Sequence, residues 1–135
     1  MQEGWRGDEY LVLFDEDEYS TVSERYEIGV VLPGYEVIGL QGWDDFLVRD
    51  SKGGVFSVPT VPCIPKYLEP FPSLAGANGL TTDERYAGKI KWYIKPVVFG
   101  GDPASDENIT WITHEEHEKL VRWWNALYRD LSRKY

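Results

Sequence analysis

The sequence has few of the residues that define several common classes of protein. It contains a single cysteine, Cys63, so no disulfide can form within the chain, which suits a reducing compartment such as the cytoplasm. No histidine or second cysteine stands near it, and we interpret Cys63 as a small buried hydrophobic residue. Long apolar runs are also missing, and residues 11–14 form one of the longest. We therefore expect neither a transmembrane helix nor a secretory signal peptide.

Basic residues are also scarce. The chain has 14 Lys and Arg against 23 Asp and Glu, which gives a formal net charge of −9 over 135 residues. Binding to nucleic acid relies on clustered Lys and Arg that release counterions from phosphates, so this composition argues against that function. The imbalance lies in the first half, where residues 1–67 hold 13 acidic and 5 basic residues. A negative field of this kind speeds the encounter with a basic partner protein.

The composition predicts one folded domain over residues 1–135, because 42% of the residues are hydrophobic and 15% are aromatic. Alternation of apolar and polar residues predicts strands, and helical spacing of apolar residues predicts helices. The first half is predicted to contain a strand at 10–14, a helix at 15–26, two extended pieces within 28–40, and a hairpin of 46–49 with 55–58.

The second half begins with five prolines within residues 59–72, which predict an extended edge connection because proline cannot donate to a ladder. Residues 73–87 are predicted to form a mobile loop, residues 90–99 a strand interrupted at Pro96, and residues 100–108 a turn-forming loop. A capping-box pattern of Thr113 and Glu116 begins the last element. We predict an amphipathic helix from there to about Arg133 and an α+β fold, with a mainly antiparallel sheet flanked by helices.

A histidine-rich segment begins this helix. His114 and His117 are three residues apart, whereas a zinc peptidase helix needs two histidines four apart with a glutamate after the first. The segment also lacks the Glu-x-x-His spacing of helical carboxylate-bridged metal sites. We therefore interpret His117 as a packed histidine near the apolar stripe. A shared metal ion on His114 and His117 remains the alternative.

Two adjacent carboxylates, Asp44 and Asp45, precede the predicted hairpin. Adjacent residues of a strand point to opposite faces, so the pair is not expected to converge on one ion or to act together as acid and base. We interpret this segment as a turn that is anchored against the core by Trp43. The sequence thus carries no catalytic signature and no cofactor motif.

The remaining features indicate a surface that meets another protein. Six tryptophans exceed what a core of this size needs, and aromatic side chains are favoured at interface hot spots. Trp123 stands beside the predicted stripe of the last helix, outside the buried positions. The candidate partner-binding residues are Asp15, Glu16, Asp17, Glu18, Trp43, Asp44, Asp45 and Trp123.

Residues 23–62 contain a set of motifs in a recognisable order. They comprise a tyrosine-bearing helix before Leu32 and Pro33, then Tyr35, Gly39 and Gly42, and a hairpin carrying Phe46 and Val48 with Gly53 or Gly54 at its turn. This stretch resembles the SUKH superfamily, which includes bacterial toxin-immunity proteins and a fungal regulator of cell-wall synthesis. The resemblance implies an antiparallel sheet flanked by helices, no catalytic site, and a role in binding and neutralising a cognate toxin.

Three functions follow from these observations. The leading hypothesis is a cytoplasmic immunity protein, which neutralises a basic toxin domain through an acidic and aromatic surface and needs no cofactor. One alternative is a metal-assisted hydrolase that uses His114, His117 and Asp102. The other is a regulatory scaffold domain whose partner is not a toxin.

Overall fold

A computed structural model describes residues 1–72 and 79–134, without the side chain of Lys134. The predicted α+β architecture is confirmed. The strands are β1 (Gln2–Arg6), β2 (Glu9–Leu13), β3 (Glu36–Gln41), β4 (Asp45–Arg49), β5 (Val55–Pro59), β6 (Glu69–Pro70), β7 (Ile90–Tyr93) and β8 (Ile109–Ile112). The α-helices are α1 (Tyr19–Arg25), α2 (Ile28–Val31) and α3 (His114–Lys134), and single 3₁₀ turns cover Glu16–Glu18, Pro65–Tyr67, Val97–Phe99 and Asp106–Asn108.

The sheet is antiparallel and follows the order of the chain. Six strands pair in the sequence β1 to β6, and β7 pairs with β8 in a separate two-stranded sheet. Helix α1 packs on β3, and α3 packs on β7. The central strands are buried on both faces, with Val12, Leu40 and Phe46 in the larger core cluster and Leu11 and Leu47 in the smaller one. This arrangement leaves the ends of the strands as the places where side chains reach solvent.

Several predicted elements are confirmed. The strand predicted at 10–14 is β2, and the helix predicted at 15–26 is the Glu16–Glu18 turn followed by α1. The hairpin of β4 and β5 turns through Gly53, which has a φ of 85°, and the Asp50 carboxylate accepts hydrogen bonds from the Lys52 and Gly54 amides at 2.9 and 2.8 Å. Cys63 is buried, and burial raises the pKa of its thiol to about 12, as expected for an unreactive residue.

Other predictions were wrong. The first extended piece predicted within residues 28–40 is helix α2, which follows a left-handed Glu27 with a φ of 55°. The strand predicted over 90–99 ends at Tyr93, and Val97–Phe99 is a 3₁₀ turn because Pro96 cannot donate to a ladder. Strands β1 and β8 were not predicted. Residues 73–78 of the loop predicted at 73–87 lie outside the described residues.

The segment Gly100–Asp102 is a turn, as its composition indicates. The Gly100 and Gly101 amides donate to the carbonyls of Val97 and Pro96 at 2.9 and 3.1 Å, so neither is available to an anion. A side chain at Gly101 would collide with the backbone carbonyl of Lys95. The absence of a side chain at this position therefore permits the close approach of the two loop arms.

Helix α3 begins with the predicted capping box. The Thr113 hydroxyl accepts from the Glu116 amide at 3.1 Å, and the Glu116 carboxylate accepts from the Thr113 amide at 3.1 Å. We expect Thr113→Ala to lower the free energy of unfolding by about 1 kcal/mol, because one helix amide loses its partner. Urea unfolding measures this, with Thr113→Ser as a control that keeps the hydroxyl. Equal losses in both variants would contradict the capping role.

Asn125 joins α3 to the chain that follows β5. Its side-chain oxygen accepts from the Cys63 amide at 2.8 Å, and its side-chain nitrogen donates to the Thr60 carbonyl at 2.8 Å. The residue is buried, so both bonds replace water at backbone groups that have no other route to solvation. Residues 60–63 are thereby fixed against the helix.

Candidate functional site

An open groove lies between the turn that precedes β4 and strand β7. We call it the acid groove; its walls are formed by Trp43, Asp44, Asp45, Pro59, Thr60, Val61, Lys91, Trp92, Tyr93, Pro96, Val97 and Pro103. Its volume of about 290 Å³ lies at the lower end of the range for small-molecule pockets, roughly 300–1,000 Å³. The groove is therefore sized for a few side chains of a docked segment.

Trp43 fixes the acidic wall of the groove. Gly42 and Trp43 both have left-handed backbone, with φ of 58° and 65°, in the turn closed by the Gln41 and Asp45 pair. Such a conformation is strained for tryptophan and needs support from its surroundings. The support comes from Tyr10, on which the indole stacks at 4.9 Å between ring centroids. The interpretation of Trp43 as an anchor is therefore confirmed.

An aromatic cluster surrounds this anchor. Edge contacts join Trp43 to Trp5 at 6.0 Å, to Tyr86 at 5.5 Å and to Trp111 at 5.2 Å between centroids. Because Trp111 belongs to β8 and Trp5 to β1, the cluster ties the small sheet to the large one. The position of Asp44 relative to β7 is thus set by packing rather than by a flexible loop.

The two carboxylates of the groove both have raised pKa values. Burial raises the pKa of Asp44 to about 6, with Asp45 adding to the shift and Lys91 opposing it. Asp44 is exposed as a whole residue, although it also lines the groove. Burial also raises the pKa of Asp45, and Glu69 adds to it. A cation in the groove would favour the charged form of both groups.

Lys91 does not pair with these carboxylates. Its ammonium lies over the Tyr93 ring, 5.3 Å from the centroid. Among residues 1–72 and 79–134, the ion pairs closer than 4.0 Å involve neither Asp44 nor Asp45. Within the described chain the two carboxylates thus form no close ion pair, and Lys91 acts on Asp44 only at longer range.

The other acidic candidates lie elsewhere. Asp15 and Glu18 bind the amino group of Met1 at 2.7 and 2.9 Å, and Glu16 lies 4.0 Å from Arg49. Arg49 and Asp45 are the two ends of β4, which is roughly 13 Å long at strand rise. Asp17 is exposed. The structure thus does not bring the 15–18 acids together with Asp44 and Asp45, and it gives three of those four acids a local partner.

Trp123 lies outside the groove but is connected to it. Its side chain is 58% exposed, and its ring contacts Trp124 at 4.8 Å between centroids. Trp124 contacts Phe99 at 4.9 Å, in the same 3₁₀ turn as Val97, which lines the groove. Val97 and Val98 are themselves exposed. An apolar surface therefore runs from the groove to Trp123.

The two histidines lie in the first turn of α3, with His117 packed in the core. His117 is fully buried, and its Nδ1 lies 2.6 Å from the Tyr26 hydroxyl, as expected for a packed histidine. Burial lowers the pKa of His117 to about 3, and His114 adds to the shift. In the part of the chain that the structure describes, no three His, Cys, Asp or Glu side chains could together hold a metal ion. The proposed ligand set of His114, His117 and Asp102 thus finds no support.

Half of the groove was not identified from the sequence. The wall opposite Asp44 consists of Lys91, Tyr93 and the turn after Pro96, which are separated from Asp44 by almost fifty residues. The sequence predicted a strand over residues 90–99, which includes β7, but no local pattern indicates which surface a strand faces. The third wall consists of Pro59, Thr60 and Val61 from the proline-rich segment. The sequence did not indicate that these residues face the same groove.

Comparison of the chain with models of protein families, with curated proteins and with solved structures found no match. The resemblance of residues 23–62 to the SUKH superfamily therefore stays a prediction. Separately, no described helix has the length and apolar character needed to cross a membrane.

Proposed function

We propose that the protein is a non-catalytic binding module of the cytoplasm that neutralises a basic toxin domain by binding it at the acid groove. The observation that carries the proposal is a pair of carboxylates, Asp44 and Asp45, that line an aromatic groove and form no ion pair within 4.0 Å among the described residues. A lysine or arginine from the partner supplies the missing charge. Charge-assisted bonds of this kind are about twice as strong as neutral ones.

The remaining candidates act around this contact. The acidic residues 15–18 add to the negative field that steers a cationic protein toward the molecule, and three of the four also have partners within the chain. The apolar surface that ends at Trp123 provides the aromatic contact area that interface hot spots use. The resemblance of residues 23–62 to SUKH immunity proteins supports a toxin as the partner. The same groove in a scaffold domain would take a basic partner that is not toxic.

The test is co-expression of the chain with toxin genes encoded beside its own. We expect survival with the wild-type chain and loss of protection with Asp44→Asn/Asp45→Asn, together with an affinity about 100-fold weaker, because the basic partner loses both opposing negative charges. The matched control is Glu16→Gln/Asp17→Asn, which removes the same charge at the far end of β4. It is expected to slow association and to leave dissociation unchanged.

Folding is checked on the same variants. Burial penalises the Asp44 carboxylate at neutral pH, so Asp44→Asn is expected to leave the stability equal or higher.

The wild-type affinity is expected to rise as the pH increases through 6, since the cation binds the charged carboxylate. Equal loss of affinity in the groove variant and its control, or survival no better than with an empty vector, would contradict the proposal.

A further inference from the structure

Strand β7 has one backbone edge that pairs with no described strand. The Ile94 amide donates to the Asn108 carbonyl at 2.8 Å, in register with the pairing of Trp92 with Thr110 and of Ile90 with Ile112. Hydrogen-bonded pairs alternate along antiparallel strands. The N–H and C=O groups of Lys91 and Tyr93 therefore point away from β8.

These four groups have no partner within residues 1–72 and 79–134. Lys91 and Tyr93 both line the acid groove, so the edge borders the space that Asp44 faces. Unpaired groups on a strand edge are a template for another strand, and backbone donors and acceptors away from bulk water require partners.

The other walls of the groove offer no comparable edge. Pro59, Pro96 and Pro103 line it, and proline has no N–H to donate. The Thr60 amide already donates a hydrogen bond to the Asp44 carbonyl at 3.0 Å. A backbone that enters the groove thus finds its regularly spaced partners on β7.

We propose that the partner contributes an extended segment that pairs with β7 as an added strand. Side chains alternate along a strand, so lysine or arginine at positions i and i+2 of the segment lies on one face, which is directed toward the groove that Asp44 and Asp45 line. The proposal rests on the function proposed above and specifies how the partner is held. Main-chain bonds to β7 provide affinity, and the carboxylates select the cationic side chains.

The test uses the full chain and a synthetic peptide, acetyl-TVKVKVT-amide. In NMR titrations we expect the peptide to bind and to slow hydrogen exchange at the Lys91 and Tyr93 amides at least tenfold. Lys91→Pro removes one outward N–H, and Lys91→Thr is the matched control that removes the same charge but keeps the N–H. Binding is expected to be about tenfold weaker in the proline variant than in the threonine variant, the effect of one lost hydrogen bond at the upper end of its usual net contribution.

A peptide-side measurement keeps the test decisive if Lys91→Pro fails to fold. One peptide is N-methylated at the backbone amides of its two lysines, and a second at the backbone amides of the last two of its three valines. The two modifications block opposite edges of the peptide strand. Loss of binding with one set and retention with the other supports strand addition. Equal effects of the two sets, or unchanged exchange at Lys91 and Tyr93, would overturn it.

The outcome for the proposed function is separate. If the toxin still binds through Asp44 and Asp45 while Lys91→Pro and Lys91→Thr behave alike, strand addition is wrong and the acid groove remains the binding site. If toxin binding is indifferent to Asp44→Asn/Asp45→Asn, the proposed function itself is wrong.

Discussion

Lowering the pH from about 7.5 to about 5 is expected to destabilise the protein by about 2 kcal/mol relative to its own His117→Gln variant. The cause is the complete burial of His117, which lowers the pKa of its imidazole from 6.5 to about 3. The unfolded chain takes up a proton as the pH falls through 6.5, whereas the folded chain does not until the pH approaches 3. Protonation linked to His117 therefore leaves the free energy of unfolding unchanged above pH 6.5 and lowers it progressively below that pH.

The comparison with His117→Gln isolates this effect. Glutamine does not titrate and can still bond to the Tyr26 hydroxyl, while opposing contributions such as the raised pKa of Asp44 are present in both proteins. Urea unfolding at several pH values gives the difference. Tyr26→Phe serves as the control, because it removes the 2.6 Å partner of His117 but keeps the titrating ring. Parallel pH profiles for wild type and His117→Gln would contradict the assignment.

Gly39→Ala is expected to lower the free energy of unfolding by roughly 4 kcal/mol or more, among the largest effects of single substitutions. Gly39 lies in the central strand β3, where the register shifts between Val37 and Gly39. A Cβ atom at this position would collide with the backbone carbonyl oxygen of Val12. The obstacle is backbone of a neighbouring strand, so β2 and β3 would have to separate.

Gly29→Ala is the matched control for this prediction. Gly29 lies in α2, its backbone is not left-handed, and a Cβ atom there meets nothing within 4 Å. The same change is expected to be neutral or to stabilise by up to about 1 kcal/mol, because alanine favours the helix. Urea midpoints of the two variants provide the measurement. A stable Gly39→Ala protein with an unchanged midpoint would show that β3 can shift to accept the methyl group.

The sequence was informative where local chemistry decides the structure. The turn residues around Gly53 and the capping pair of Thr113 and Glu116 are sufficient to place the β4–β5 hairpin and the start of α3. Helix α2 was not predictable, because a four-residue helix has little intrinsic stability. It depends on Ile28 and the following Leu32, which are buried in the core.

The residues of the acid groove also divide into those that the sequence indicated and those that only tertiary packing brings together. Asp44, Asp45 and Trp43 are adjacent in the chain, and their residue types alone indicated a charged turn with an aromatic anchor. Lys91 and Tyr93 meet them through tertiary packing of the aromatic cluster. The edge of β7 depends on register, which is set by pairing with β8 rather than by composition.

The two hydrogen bonds of Asn125 link α3 to one wall of the acid groove. Because that amide holds Thr60 and Cys63 to α3, one wall of the acid groove shifts whenever the helix shifts. A substitution that displaces α3 is therefore expected to displace Thr60, and with it one wall of the acid groove, even when it lies far from that wall.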